Sequence, residues 1–464
     1  MGLTHMQDPS TGRPPEPDWP NPAYAWYVVI ILFIASIVSF LDRQIIAIMV
    51  SDIKADLGLN DFEIGLLQGP PFGIFYALMS VPIALAADQL NRRNIIALGV
   101  TFWSLATAAC GLAGSFVQLF LARITVGVGE ATLGPSAYSI ISDYFPRQKL
   151  AMAMSVFTMG NLTGIGLALM LGATLLSFIN TVGVSEVWLL GEVRPWQLAF
   201  ICVGLPGLIL TLLILTIREP FRRGRVREAE AVGGAAQMGE FFRHLHSHGR
   251  SYTHILVAFT TMVLVAYANF GWVVQHLVRE FGTTQIHAGY WYGVVLLICG
   301  TSGTFFGGWF AGWLARRGHA DAMLRASLIC TAPLGPVAAF TFLWSPTLEW
   351  ALVLLGPCQF MGAVPAGLAG ASMLTITPNQ MRAKIGALYV FLSSVVGISL
   401  GSTMVGFLTT YVFRNERMLG EALAVINCIG IPFGVILLIL GLKHYRASLA
   451  RIEAEQAEVA LGSA

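Results

Sequence analysis

Apolar residues in this chain fall in long runs separated by short polar stretches. A helix needs about 20 mostly apolar residues to cross a bilayer. Twelve such runs begin near Trp26, Phe62, Ile95, Val117, Ala151, Trp196, Ile255, Ala288, Ala322, Leu348, Ile385 and Leu419. Their connections are short, apart from a stretch from Arg218 to about Ser251 that divides the runs into two sets of six. The pattern predicts an all-α membrane protein with 12 transmembrane helices in two six-helix pseudo-symmetric bundles. It places a disordered tail at 1–22, a first bundle at 23–217, a cytoplasmic linker with an interfacial helix at 218–251, a second bundle at 252–443 and a cytoplasmic tail at 444–464.

Charge fixes the expected orientation. Of the 27 Lys and Arg residues, twenty fall on one side of this layout, among them Arg92, Arg93, Arg147, Lys149, Arg222, Arg316, Arg317, Arg382 and Lys443. Lys54, Arg194, Arg279, Arg414 and Arg417 fall on the other. Positive residues concentrate in cytoplasmic loops, so both termini and the central loop are expected in the cytoplasm. Charged residues make up only 11% of the chain and hydrophobic ones 56%; soluble domains carry roughly 25% charged residues, so most of the surface must meet something other than water. The six cysteines lie singly in apolar runs and read as small buried hydrophobes. The first 22 residues show no basic segment before a short apolar core, so no cleavable signal peptide is expected.

The halves echo each other. Asp88-Gln-Leu-Asn-Arg92-Arg93 follows span two, and Gly312-Trp-Leu-Ala-Arg316-Arg317 follows span eight. Pro146-Arg-Gln148 follows span four, and Pro378-Asn-Gln380 follows span ten. A six-span repeat suggests two related bundles around a central cavity. Gly-x-x-x-Gly pairs such as Gly160–Gly164 and Gly397–Gly401 suit close helix packing. Gly69-Pro70-Pro71-Phe72-Gly73, Pro357 and Pro365 should bend their helices.

Four ionisable residues fall well inside spans: Asp42 and Arg43 in span one, and Arg123 and Glu130 in span four. A charge at mid-bilayer costs at least about 2.5 kcal/mol, so these four should face inward and pair. Asp42 lies about 24 Å along a helix starting at Trp26, at a depth that overlaps the span-four pair. Arg123 and Glu130 are seven residues apart and share a helix face with Gly127 and Gly134, which leave room for a neighbouring helix or a ligand. The cluster reads either as a structural lock or as a proton and anion site, with Asp42 and Glu130 sharing the two arginines. Glu130 and Asp42 are the candidates for proton coupling. Arg43, Arg123 and Glu130 are the candidates for substrate binding, since arginine suits bidentate contact with phosphate. Asp88, Arg92 and Arg93 read as a solvated loop or as a cytoplasmic gate, and Asp143 resembles Asp88. Among His244, His246 and His248 a zinc site is a minor reading; Met238-Gly-Glu-Phe-Phe-Arg-His-Leu reads better as a helix on the membrane surface. The chain has no Gly-x-x-x-x-Gly-Lys phosphate loop and no His-Glu-x-x-His. Gly397-Ile-Ser399-Leu-Gly401 has the letters of a nucleophile elbow but follows no strand. No enzyme, cofactor or metal is expected.

The two halves and the Asp88…Arg92-Arg93 loop resemble the major facilitator superfamily, although Ala84, Gln89, Asn91 and Gly312 depart from its loop pattern. Phe40-Leu41-Asp42-Arg43-Gln44, Phe102-Trp103-Ser104-Leu105, Arg123-Ile-Thr-Val-Gly127-Val-Gly129-Glu130-Ala131 and Arg218-Glu219-Pro220 resemble the Spinster family over roughly Trp26 to Arg223. The resemblance implies a major facilitator fold and an inner-membrane carrier of lysophospholipids or sphingosine-1-phosphate-like amphiphiles, coupled to protons. It implies a polar site of Asp42, Arg43, Arg123 and Glu130, and a gate served by Asp88 and Arg92. Two alternatives stand beside it: a carrier of a drug or small metabolite on the same fold, and a non-transporting receptor or channel. The expected partners are a lipid-like substrate, protons and membrane lipids, with no nucleic acid and a monomeric chain.

Overall fold

The computed structural model describes residues 19–183, 186–187, 191–222, 234–378 and 381–462. Most of the N-terminal tail and the arginines from Arg223 to Arg227 therefore lie outside the described residues. Among the described residues twelve helices are long and apolar enough to cross a membrane: Pro22–Ile48, Asp61–Gln89, Arg92–Cys110, Phe116–Tyr144, Gln148–Val182, Pro195–Leu215, Gly249–Phe281, Gln285–Arg316, Ala322–Trp344, Leu348–Thr375, Arg382–Val412 and Leu419–Ile452. They are called spans one to twelve below. Local chemistry sets their ends. Asn21, Ser115, Thr284 and Thr347 accept backbone N–H bonds at helix starts. Gly183 and Gly282 close spans five and seven in the left-handed conformation that glycine adopts without strain.

Within the first bundle span one lies along span five, and span three along span six; within the second, span seven lies along span twelve. The bundles meet where span two packs on span eleven and span five on span eight. Side chains such as Leu98, Phe178, Ile209 and Ile429 point outward and exposed. This apolar exterior accounts for the shortage of charge.

Some boundaries differ from expectation. Residues 218–222 are folded against the first bundle: Tyr144 donates to the Arg218 carbonyl at 2.6 Å, and Arg92 Nε to Glu219 at 2.7 Å. The last helix runs on from Leu419 to Gly462, because Tyr445 and Leu449 are buried against the second bundle. The linker helix, Gly234–Ser247, buries Phe241 on that bundle while Phe242 stays exposed. Span two breaks at Gly69, beside Pro70, whereas span ten keeps Pro357 and Pro365 inside one continuous helix. Span four breaks just after Glu130, and π-helical turns interrupt spans eight and eleven. Hydropathy alone does not reveal such features.

The charge bias makes orientation testable. A reporter fused after residue 230 and another at the C-terminus should both read out in the cytoplasm. A signal from the opposite side for either fusion would reverse the layout.

Candidate functional site

The four charges inside the membrane come together, but not in the expected pairs. Arg43 Nη2 donates to Glu130 Oε2 at 2.6 Å, and Ser39 Oγ donates to the same oxygen at 2.5 Å. Ser39 and Arg43 are four residues apart, so one face of span one supplies both donors. The Arg43 guanidinium lies 3.6 Å from the Phe72 ring centroid and 4.8 Å from that of Phe40, a cation–π seat. Gly127 makes this seat possible. A Cβ there would stand 2.8 Å from the Pro71 carbonyl oxygen, so only glycine lets span two close on span four and carry Phe72 inward. The room predicted beside Gly127 is filled by a helix.

Arg123 takes a different role. Its Nη1 donates to the Asp42 carbonyl at 2.8 Å and its Nη2 to the Arg43 carbonyl at 3.2 Å. It therefore forms no ion pair with either carboxylate, which corrects the expectation that both arginines are shared. Main-chain carbonyls are an accepted partner for a charge within a membrane. Asp42 is fully buried and turned about 100° around the helix from Arg43. Thr107 and Trp103 of span three are the polar side chains beside it. Among the described residues, neither carboxylate oxygen of Asp42 has a hydrogen-bond partner of sound geometry, and Glu130 Oε1 also has none. The cluster thus holds two carboxylates whose lone pairs are only partly used. Such oxygens can accept a proton or a donor from a ligand.

The surroundings extend into the second bundle. Tyr76 of span two and Tyr267 of span seven stand within electrostatic reach of Arg43. Tyr267 also lines a cavity of about 210 Å³ among spans seven, eight, nine, ten and twelve, with Ile165 of span five on its rim. The lining is mostly apolar, including Met262, Val263, Val265, Phe270, Leu296, Leu334 and Ile431. A largely buried cation therefore stands within electrostatic reach of Tyr267, a residue that lines a mostly apolar recess. Ser39, Tyr76, Thr107 and Tyr267 were not singled out from sequence, and Phe72 and Trp103 entered only within a kink motif and a family motif. Only the spacing of Ser39 from Arg43 offered a signal.

At the end of the molecule away from the termini, polar contacts join the two bundles. Asn60 and Glu63 form a reciprocal cap at the start of span two, and this presents Asp61 at the helix tip. Asp61 receives two bonds from Arg279 of span seven, both at 2.7 Å, and one from Lys54. Lys54 also reaches Glu416 at 2.6 Å, and Ser51 bonds Gln275 at 3.0 Å. The sequence showed Lys54 and Arg279 only as cations of the sparsely charged side. Asp61→Asn should leave Lys54 and Arg279 with only the half-exposed carboxylate of Glu416 to balance them. Breaking a buried ion pair costs about 3–5 kcal/mol, so this end should part. A short cross-linker between cysteines placed at Ser51 and Gln275 reads the change as a several-fold fall in yield. An unchanged yield would show that the network does not hold the seam.

At the terminal end each bundle carries its own clamp. Arg92, buried, binds Asp143 at 2.5 Å and Glu219 at 2.7 Å; Arg93 donates to the Ile217 carbonyl at 3.3 Å. Asp88 is exposed, and its main-chain carbonyl accepts from Arg222. These contacts of Arg92 and Arg93 stay within the first bundle. In the second, Asp321 at the start of span nine binds Arg325 at 2.6 Å and Arg446 at 2.5 Å. Both clamps tie the start of a bundle's third span to the end of its sixth, with opposite charge order. In the linker region His244 meets the Tyr252 hydroxyl at 3.0 Å and His248 the Ser448 hydroxyl at 2.9 Å.

Two six-span bundles, joined at one end by polar contacts and with a buried charged cluster inside the first, define a secondary carrier. The chain belongs to the Major Facilitator Superfamily, whose sequence profile matches residues 32–402. It is 24% identical over 404 residues to a probable L-galactonate transporter of Escherichia coli K12, covering 83% of this chain and 84% of that one. It is 24% identical over 403 residues to the protein spinster of Drosophila melanogaster, covering 84% and 63% of the two chains. Among solved structures it resembles a bacterial homolog of the human lysosomal transporter Spinster, inward-facing and unoccupied. The TM-score is 0.76 at 27% identity, covering 93% of this chain and 98% of that one. The relatives are transporters, not enzymes, and the chain is a multi-pass membrane protein of the major facilitator fold.

Proposed function

We propose that this protein is a proton-coupled carrier of an anionic amphiphile, such as a lysophospholipid or a sphingosine-1-phosphate-like molecule, working by alternating access in the inner membrane. The observation that carries this reading is the position of Arg43. Its guanidinium is tied to Glu130, stacked on Phe72, and within electrostatic reach of Tyr267, which lines the apolar recess. A phosphate or carboxylate headgroup would compete with Glu130 for Arg43, while a hydrocarbon tail would enter the second bundle. The freed carboxylate, left charged in a poor solvent, takes a proton. Glu130 and Asp42 are thus the proposed proton sites. Arg43 is the proposed headgroup ligand, and Arg123 holds span one in place through its carbonyls. With the termini cytoplasmic, the joined end faces outward and the described form is the inward-facing one. The Arg92 and Asp321 clamps keep each bundle rigid as it rocks, and Asp88 and Arg93 serve the cytoplasmic gate.

A second reading is favoured by the sugar-acid transporters among the relatives, which share this chain's length and would offer Arg43 a carboxylate. Proteoliposomes separate the two. The first reading expects uptake of a lysophosphatidic acid that rises with a pH gradient, and no uptake of galactonate. Galactonate uptake with no lysolipid uptake would replace it.

A further inference from the structure

The recess in the second bundle is not uniformly apolar. Gln359 of span ten lines it and donates its amide nitrogen to the Tyr292 hydroxyl at 3.0 Å. No described residue bonds the carbonyl oxygen of Gln359. Tyr292 can satisfy only one end of the amide, whichever way that amide is turned. Asn269 also lines the recess. It exchanges two bonds with Asn427 of span twelve, at 2.9 and 3.3 Å, which leaves one of its own N–H groups unused. The Thr304 hydroxyl is by contrast shared between the main-chain carbonyls of Gly300 and Ala363, and that of Thr331 is spent on the Ser327 carbonyl. A recess built only to hold a hydrocarbon would do better with leucine at 359.

We propose that this recess selects hydrophobic chains that carry a hydroxyl or amide group, and that Gln359 is the specificity residue reading that group. The inference rests on the amphiphile reading above. A plain chain filling the recess expels water and leaves one end of the Gln359 amide buried without a partner. A hydroxyl on the chain supplies the missing donor, and the spare N–H of Asn269 can donate to a hydroxyl or carbonyl oxygen in the same recess. Leaving a buried polar group unpaired weakens binding by about tenfold or more. The recess would therefore discriminate on tail chemistry, while Arg43 discriminates on charge.

The test uses the full chain in nanodiscs and two kinds of probe: dodecyl phosphate, and dodecyl phosphates hydroxylated at carbon 2, 4 or 6. The wild type should bind at least one hydroxylated probe about tenfold more tightly than the plain one. Gln359→Leu should bring that ratio close to one, mainly by tightening the plain probe. Because Gln359→Leu orphans the Tyr292 hydroxyl, the double variant Gln359→Leu/Tyr292→Phe is measured beside it. Removing both partners of a buried bond is close to neutral for folding. A wild-type ratio of one for every isomer, or an unchanged ratio in the double variant, overturns the inference. If both probes bind and both lose affinity in Arg43→Ala, the amphiphile reading survives that failure. If neither probe binds, or Arg43→Ala changes nothing, both readings fall.

Discussion

Glu130→Gln should leave the carrier able to bind an anionic amphiphile but insensitive to a pH gradient. In the described form Glu130 Oε2 is shared between Arg43 and Ser39, and Oε1 has no partner among the described residues. Among the described residues Arg43 is the cation in direct contact with the carboxylate, while Arg123 acts on it only through space. A headgroup that claims Arg43 strands it, and a charge stranded at mid-membrane costs at least about 2.5 kcal/mol. Taking a proton removes that cost. A carrier that moves one proton with each substrate can accumulate it about tenfold per pH unit. In Glu130→Gln that accumulation should vanish, while exchange of substrate across the membrane without a gradient persists. Glutamine keeps the shape and can still accept from Arg43 and Ser39, so the bundle should hold. If the variant accumulates substrate with unchanged pH dependence, Glu130 is a structural partner and Asp42 becomes the proton site. Asp42→Asn in the same assay would then show the loss.

Gly166→Leu should arrest the transport cycle by a steric route that involves no charge. Spans five and eight approach so closely that a Cβ on Gly166 would stand 2.7 Å from the Gly293 carbonyl oxygen, and a Cβ on Gly293 would stand 2.7 Å from that of Gly166. Both obstacles are main chain and cannot swing away. The second seam behaves in the same way. A Cβ on Gly65 would meet the Ser402 carbonyl oxygen at 2.8 Å, and one on Gly69 would overlap that of Ser399. Overpacking costs about 1–3 kcal/mol where neighbours can adjust. At a main-chain contact the upper figure applies, equivalent to a shift on the order of 100-fold between two states. The seam should fail to close, the outward-open form should accumulate, and net transport should fall by on the order of 100-fold. A cysteine at Gln275 should become reactive to an impermeant thiol reagent from outside. Wild-type transport in Gly166→Leu would mean that spans five and eight never need to meet this closely.

Much of the architecture follows from one-dimensional information. Apolar runs of spanning length and the placement of arginines are local properties, and a bilayer reads them helix by helix. Twelve spans, two bundles and the cluster of Asp42, Arg43, Arg123 and Glu130 were all visible in that way. Buried charge is conspicuous because each such residue violates a strong energetic rule on its own. Pairing is a different matter. Asp42 and Arg43 are adjacent in sequence yet diverge by about 100° on the helix, so packing decided that Arg43 meets Glu130 and Arg123 meets carbonyls. Asp61 meets Arg279, 218 residues away, and Lys54 meets Glu416, 362 residues away, and no local pattern joins these pairs. The close approach of Gly166 to Gly293 and the seating of Phe72 by Gly127 exist only once helices cross at a given height. The recess around Gln359 is likewise assembled from five spans of the second bundle, with Ile165 of span five on its rim, and each contributes side chains that read as ordinary apolar positions. The sequence by itself determined what must be buried and roughly which segments span the membrane. The tertiary structure alone decided which buried groups touch, because contact depends on helix rotation and crossing height, which no single span records.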